Sequence, residues 1–306
     1  MPAESPGEAF RVGVQLPEVE RPIGWPEMRD IARTIEDVGF DSLWVGDHLL
    51  YRDGDEAARG PMEAWSILAA LAEVTERVSL GPLVASAGFH SPAMLAKNAA
   101  TVDEISGGRL IFGLGAGSNR VDYDAFGFSY DHRVARFSEA FTIVRRLLAG
   151  ETFDFDGEYY ELRGAELNPP ARPDLPLMVG SNGPKMLRLT TPYVAMWNSW
   201  FLWFGNRVSG LGPLMAAVDE ACLEVGRDPA EVERTAAVLV QLEGGTGRNA
   251  GDSERPTAPP LRGSADELAA SLFEFAEAGI SHLQLVLDPI TSRSVEQMGE
   301  VLRLIR

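Results

Sequence analysis

Two side chains that can exchange protons, Asp47 and His48, are adjacent and follow a short apolar run at residues 43–45 after a single glycine, Gly46. An unperturbed imidazole titrates near pH ~6.5, so His48 is suited to give and take protons at neutral pH. A charged pair at the end of a buried strand is either solvated or held in a desolvated site and used in chemistry. The choice depends on where the surrounding elements place the pair.

Small and polar residues that suit a cofactor follow two other apolar runs. Gly113, Gly115 and Gly117 would let a flat ligand or a phosphate chain approach the backbone closely, although such glycines often only form a turn. Asn182 and Gly183 precede a predicted helix, where backbone N–H groups suit an anion. An ordinary strand-to-helix turn has the same pattern, so both interpretations stay open.

The other histidines give weaker predictions. His90 and His132 fall in predicted loops, where a lone histidine is more often a surface or hydrogen-bonded structural residue, and His282 opens a strand and is predicted to be structural. A metal-dependent hydrolase would need ligands from several strand ends. The late strands offer only Asp288, so we expect no metal site. The aromatic stretch at 198–205 suits an aromatic ligand, a dimer contact or the top of the core.

The elements that must position these residues alternate between strand and helix patterns. Apolar residues alternate at 11–16, which predicts a strand, and recur at helical spacing between a proline and a glycine at 25–39, which predicts a helix. The further predicted strands are 42–45, 78–86, 109–117, 176–180, 193–198, 234–242 and 281–287. The further predicted helices are 63–75, 92–106, 133–150, 183–190, 212–226, 264–279 and 294–305. Eight strand–helix pairs predict a (β/α)8 TIM barrel in the α/β class, with an open doubly wound sheet as the alternative.

We predict one barrel domain over residues 1–306, with insertions near 151–168, 199–212 and 243–262. The first insertion contains an Asp-Gly turn between aromatic-rich runs, which predicts a hairpin. In barrels of this kind the residues just past the carboxyl ends of the strands line the site. This places Asp47 and His48, which follow the second strand, in the predicted site.

The bulk composition excludes several classes of function. The 306 residues carry a formal net charge of −18, which disfavours nucleic acid and anionic membranes as partners. No apolar stretch reaches the roughly 18 residues of a membrane span, and no signal peptide is visible. The single cysteine, Cys222, allows no internal disulfide and favours a reducing compartment, so we expect a cytoplasmic protein.

Several stretches in consistent order give the chain a family resemblance. They are EDVGFDSLWVGDHLL, ILAALAEVTERVSLGPLV, SPAMLAKNAATVDEISGGRLIFGLGAG, DAFGF, PLMVGSNGPKMLRL and GSADELAASLFEFAEAGISHLQLVL. With them the chain resembles the luciferase-like flavin- and deazaflavin-dependent oxidoreductases. The resemblance implies a (β/α)8 barrel, often dimeric, that binds FMN or the deazaflavin coenzyme F420 where the strands end.

The resemblance also implies roles for individual residues. Asp47 matches an acid that contacts the cofactor, and His48 matches a catalytic histidine on the substrate side of the ring. Further cofactor contacts are implied in the third strand, where relatives often carry a backbone bulge behind the ring, after the fourth strand and in the phosphate loop. These are Val84, Ala85 and Ser86, then Ala116, Gly117 and Ser118, and then Asn182 and Gly183.

The chain departs from its relatives at three places, one of which is the phosphate loop, where Ser-Asn-Gly at 181–183 has fewer glycines than usual. Ser118 stands where many relatives have tryptophan and where the sugar-phosphate dehydrogenase branch has a catalytic glutamate, which argues against the sugar-phosphate reaction. Residues 194–198 read Val-Ala-Met-Trp-Asn where relatives commonly read Ala-Asp-Gly-Trp-Asn, so one cofactor contact is in doubt.

Together these features predict an F420-dependent oxidoreductase that transfers a hydride between the deazaflavin and a small organic substrate, with His48 exchanging the accompanying proton. One alternative is an FMN-dependent luciferase-like monooxygenase. The other is a family member that binds a flavin or another ligand without turnover.

Overall fold

The computed structural model describes residues 10–52, 57–247 and 258–306. The part of the predicted loop at 248–257 lies outside the described residues. The strands are β1 (Arg11–Gln15), β2 (Ser42–Val45), β3 (Ser79–Pro82), β4 (Ala85–Ser86), β5 (Phe112–Gly115), β6 (Phe153–Asp156), β7 (Glu161–Ala165), β8 (Leu177–Val179), β9 (Met196–Ser199), β10 (Glu233–Gln241) and β11 (His282–Asp288). The helices are α1 (Trp25–Val38), α2 (Ala64–Val74), α3 (Pro92–Ser106), α4 (Arg120–Phe126), α5 (Arg133–Leu148), α6 (Pro184–Thr190), α7 (Gly212–Glu224), α8 (Ala265–Glu277) and α9 (Ser292–Leu304).

The main sheet has nine strands in the order β3-β2-β1-β11-β10-β9-β8-β5-β4, and the neighbouring strands pair in parallel. Its two ends, β3 and β4, are halves of one interrupted strand, separated by a cis peptide bond between Leu83 and Val84. Leu80 of β3 exchanges backbone hydrogen bonds with Arg109 and Ile111, just before β5, at 3.1 and 2.9 Å. These bonds join the ends of the sheet, so its nine strands fill eight positions of a barrel.

The fold therefore confirms the predicted (β/α)8 barrel. The helices bury one apolar face each against the sheet, as α1 does with Met28, Ile31 and Ile35. The predicted hairpin is present as the antiparallel pair β6–β7 and adds to the barrel as a separate two-stranded sheet. Among the described residues, no helix is both long enough and apolar enough to cross a membrane.

Polar side chains inside the barrel bond to one another at the end opposite the predicted site. His282 is fully buried, and its Nε2 lies 2.7 Å from Oγ of Ser42, which also accepts a hydrogen bond from Trp44 Nε1. Burial, helped by the charge of Arg11, lowers the pKa of His282 well below its usual value, so the ring stays neutral. This histidine is structural, as predicted.

Candidate active site

The Asp47–His48 pair lies where β2 ends, at what we call the mouth of the barrel, the end at which the strands' carboxyl termini meet. Gly46 precedes the pair, and the space a side chain would need there is filled by the carboxylate of Glu18. Glu18 follows β1, is 4% exposed, and accepts hydrogen bonds from Gln15 Nε2 at 2.8 Å and from the Tyr51 hydroxyl at 3.0 Å. The mouth therefore holds a buried acid beside the predicted pair.

His48 is held between two carboxylates. Its Nδ1 lies 2.8 Å from Oδ2 of Asp122, which is fully buried on α4, and its Nε2 lies 4.0 Å from Oε1 of Glu18. The Tyr51 ring packs against the imidazole at a centroid distance of 4.9 Å. The His48 side chain nevertheless keeps 28% of its surface exposed. It is fixed in position and still accessible to a ligand in the mouth.

The charges around His48 favour its protonated form. Burial acts to lower the pKa of His48, but the hydrogen bond to Asp122 and the charges of Glu18, Asp122 and Asp47 together raise it. The pKa of Asp122 is lowered: burial would raise it, and the hydrogen bond and charge of His48, with two backbone N–H groups, outweigh that effect. The pair therefore favours an imidazolium beside a carboxylate.

Asp47 is fixed on one side and open on the other. It is 2% exposed, and its Oδ2 accepts hydrogen bonds from the backbone N–H of Ser86 at 2.7 Å and from His90 Nε2 at 3.1 Å. Its Oδ1 is buried and has no hydrogen-bond partner among the described residues. A buried carboxylate oxygen without a donor is costly, so this atom is suited to accept a hydrogen bond from a bound ligand.

Val84 and three glycines form one side of the mouth. A Cβ on Gly113, Gly115 or Gly180 would lie 2.8–2.9 Å from a methyl group of Val84. At Gly115 the close approach is therefore made by the protein's own valine, whereas at Gly113 the backbone carbonyl of Pro82 comes closer still, at 2.2 Å. We call Val84 with these three glycines the Val84 floor. Its surface lies over β5 and β8 and carries no side chain larger than valine.

The residues after β5 are held by Tyr123 of α4. The Tyr123 hydroxyl donates to the carbonyl of Ala116 at 2.8 Å and occupies the space beside Gly117, and burial raises the pKa of Tyr123 to about 12. Ala116 and Gly117 are half-buried, while Ser118 is exposed. The hydroxyl thus fixes the backbone of the first two predicted contact residues, and Ser118 remains open to a ligand.

The predicted phosphate loop lies between β8 and α6. In the part of the chain that the structure describes, the half-buried Asn182 has no hydrogen-bond partner at its Oδ1, and the exposed Gly183 would have nothing within 4 Å of an added Cβ. The loop is anchored from β9, where Trp197 Nε1 donates to the carbonyl of Ser181 at 2.9 Å. Lys185 is exposed on the first turn of the short helix.

The remaining candidates lie elsewhere or serve packing. In the aromatic stretch after β9, Phe201 and Phe204 are buried, whereas Trp203 is 63% exposed. His132 precedes α5 and packs its ring against Tyr159 of the hairpin region at 5.9 Å. Within residues 10–52, 57–247 and 258–306, no group of three His, Cys, Asp or Glu side chains is arranged to hold a metal ion.

Sequence reasoning missed three side chains that surround the pair. Glu18 could have been found, because it follows β1 as Asp47 follows β2. His90 was interpreted only as a surface or structural residue, and the structure places it on Asp47. Asp122 had no sequence signal: it is 74 positions from its partner, His48, in a stretch where we predicted no helix.

The site and fold together define a (β/α)8 protein with an acid–imidazole pair at the carboxyl ends of its strands. The sequence profile of the family described as luciferase-like monooxygenase matches residues 9–244. The chain belongs to this family.

Comparison with individual proteins gives both deazaflavin and flavin neighbours. The 5,10-methylenetetrahydromethanopterin reductase of Archaeoglobus fulgidus is 35% identical over 164 residues, which cover 53% of this chain and 46% of that protein. This chain therefore spans about half the length of that relative. An F420-dependent secondary alcohol dehydrogenase, solved with an F420-acetone adduct, has a TM-score of 0.80 at 22% identity, covering 97% of this chain and 99% of that one. A riboflavin lyase solved with modified FMN and riboflavin has a TM-score of 0.78 at 15% identity, covering 97% and 91%. At these identities the two solved structures bear on the fold alone.

Proposed function

We propose that the protein is an F420-dependent oxidoreductase that transfers a hydride between the deazaflavin and a small organic substrate. The observation that carries the proposal is the placement of His48, accessible at the mouth and held by a buried carboxylate. The reductase and the alcohol dehydrogenase to which the chain is similar support a substrate in which the reacting carbon is bonded to nitrogen or oxygen.

The residues at the mouth fit a flat, polar cofactor. The Val84 floor offers a surface for one face of a ring, and Ala85 and Ser86 continue it along β4. The buried Oδ1 atoms of Asp47 and Asn182 are acceptors without donors, which ring or ribityl-type N–H and O–H groups would satisfy. We propose that Ala116, Gly117, Ser118 and Gly183 contribute backbone contacts, since each lies in a strand-end loop at the same mouth.

The bound deazaflavin would supply or accept the hydride. His48 would exchange the proton that accompanies it, donating from Nε2 when the substrate is reduced and accepting there when it is oxidised. Asp47 would hold the cofactor, while its other oxygen stays bonded to Ser86 and His90. An acid–base group of this kind contributes about 10²–10⁴-fold to the rate.

Two measurements test the proposal. Titration with F420 and with FMN, followed by fluorescence, should show tight binding of F420 and none of FMN. Tight binding of FMN alone would overturn the choice of cofactor in favour of a monooxygenase, and binding of neither would favour the non-catalytic alternative.

Turnover tests the role of His48. With acetone and 2-propanol as first probes within a panel of ketones and alcohols, His48→Ala should lower kcat on the order of 10²–10⁴-fold. The dissociation constant for F420 should change little, because the imidazole faces the substrate. A variant with unchanged turnover would refute the assigned role.

A further inference from the structure

Both oxygens of the Asp122 carboxylate accept hydrogen bonds at the mouth. Its Oδ1 accepts hydrogen bonds from the backbone N–H groups of Leu49 and Leu50, at 3.1 and 2.7 Å. Its Oδ2 lies 2.8 Å from Nδ1 of His48 and 3.1 Å from Nδ2 of Asn119. One oxygen thus ties α4 to the loop after β2, and the other takes the imidazole.

The bond to the imidazole defines which nitrogen of His48 is protonated. An ionised carboxylate can only accept hydrogen bonds, so Nδ1 must be the donor. The lowered pKa of Asp122 keeps this carboxylate ionised at neutral pH. In the neutral ring, Nε2 then carries the lone pair and is the only nitrogen left to react. The two hydrogen bonds at Oδ1 of Asp122 are enough to hold the loop after β2. The contact between Oδ2 and the imidazole of His48 therefore has a separate role.

We propose that Asp122 is a positioning residue, which holds His48 as the Nδ1–H form and reserves Nε2 for proton exchange with the substrate. The assignment rests on the proposed function, because it concerns the same proton. In the direction of reduction, the substrate carbon takes the hydride from the reduced deazaflavin, which is thereby oxidised. The π electron pair of the carbon–heteroatom bond takes the proton from Nε2 of the imidazolium. His48 is left neutral, with its remaining proton on Nδ1 and bonded to Asp122.

The substitution Asp122→Asn tests the positioning role, because the asparagine side chain has nearly the same shape as that of aspartate. The amide oxygen can still accept from Leu49 and Leu50, but the amide NH₂ then faces Nδ1 and favours the ring with its proton on Nε2. Asp124→Asn is the matched control, since Asp124 lies on the same helix, is exposed and pairs with Arg120 within α4.

The first readout is nitrogen NMR of the protein without cofactor. The chain has four histidines, and His48→Gln identifies the His48 signals by their loss. In the wild type and in Asp124→Asn, neutral His48 should show the Nδ1–H form. In Asp122→Asn it should shift to the Nε2–H form, and its pKa should fall, since Glu18, Asp47 and the Tyr51 ring still face it but the Asp122 charge is gone.

The second readout is kinetic. Loss of the equivalent carboxylate of an Asp–His pair in a serine protease lowers kcat about 10⁴-fold through the wrong tautomer, so kcat should fall by about 10²–10⁴ in Asp122→Asn. The F420 dissociation constant should stay near that of Asp124→Asn, because Asp122 is bonded to His48 and not placed among the proposed cofactor contacts.

A wild-type His48 whose neutral ring is protonated on Nε2 would overturn the proposal, even if Asp122→Asn failed to fold. An Asp122→Asn variant with the wild-type tautomer and kcat would overturn it too. If the tautomers are as expected while the wild type shows no activity with F420, the positioning role stands and the proposed function fails.

Discussion

The Val84 floor predicts that an alanine at Gly115 destabilises the protein. A Cβ on Gly115 would lie 2.8 Å from Cγ2 of Val84, well inside the roughly 3.5–4.0 Å at which carbon atoms pack best. Val84 is β-branched, so its side chain has few other rotamers with which to avoid the collision. Overpacking of this kind costs about 1–3 kcal/mol. The displaced valine would also rise into the surface where we propose that the cofactor ring lies.

Gly212→Ala provides the matched control. Gly212 opens α7, has no positive φ, and an added Cβ there would meet nothing within 4 Å. Each substitution restricts the unfolded chain in the same way, which by itself stabilises by about 0.4–1 kcal/mol. The difference in the free energy of unfolding between the two variants therefore isolates the collision. In urea denaturation, the free energy of unfolding of Gly115→Ala should be about 1–3 kcal/mol lower than that of Gly212→Ala.

A double-mutant cycle then identifies the partner in the collision. Val84→Ala removes the methyl groups that the new Cβ would meet, so Gly115→Ala should be far less damaging in that background. Residues in contact show coupling free energies of about 0.5–3 kcal/mol in such a cycle. We expect a coupling free energy in that range, with Val84→Ala reducing the destabilisation that Gly115→Ala causes. If Gly115→Ala is as stable as Gly212→Ala, or if the effects of the two mouth substitutions simply add, the packing argument is refuted.

Two further predictions concern stability. Ser264→Ala removes the capping box in which Ser264 and Glu267 exchange hydrogen bonds at the start of α8, and it should lower the free energy of unfolding by about 0.5–2 kcal/mol in urea. The raised pKa of His48 makes its contribution greatest below pH ~6.5, and this contribution is lost as pH rises through the raised value. The lowered pKa of Asp122 means that the contribution also fades as pH falls below about 4. The stability difference between wild type and His48→Gln, measured against pH, should therefore be largest between these limits, and a flat difference would contradict the ion pair.

Local signals explain which elements could be predicted from the sequence. The predicted helix at 92–106 matches α3 in both bounds, because a proline opens it and a left-handed glycine, Gly107, ends it. The strand at 42–45 likewise matches β2. In each case the deciding residues are adjacent in the chain, so no tertiary contact had to be known.

The predicted strand at 78–86 was wrong in its continuity, and its break has a tertiary cause. The apolar pattern alone does not indicate that the run divides into β3 and β4 at Val84, and only the family resemblance implied an irregular backbone there. The valine turns into space that exists because Gly115 of β5 and Gly180, just after β8, lack side chains. A sequence pattern read along one segment cannot contain that information. The same holds for α4, which at seven residues is too short to show a helical period.

Asp122 changes how the departure at Ser118 should be interpreted. The resemblance implied that some relatives carry a glutamate at the position of Ser118, and the lack of that acid here argues against the sugar-phosphate reaction. The structure supplies a carboxylate four residues later, because α4 turns Asp122 inward onto His48 while Ser118 stays exposed. An acid beside the imidazole is therefore retained from a different residue and a different element. Since this acid bonds to Nδ1 of His48 and leaves Nε2 open, Ser118 argues against one substrate class and gives no argument against catalysis.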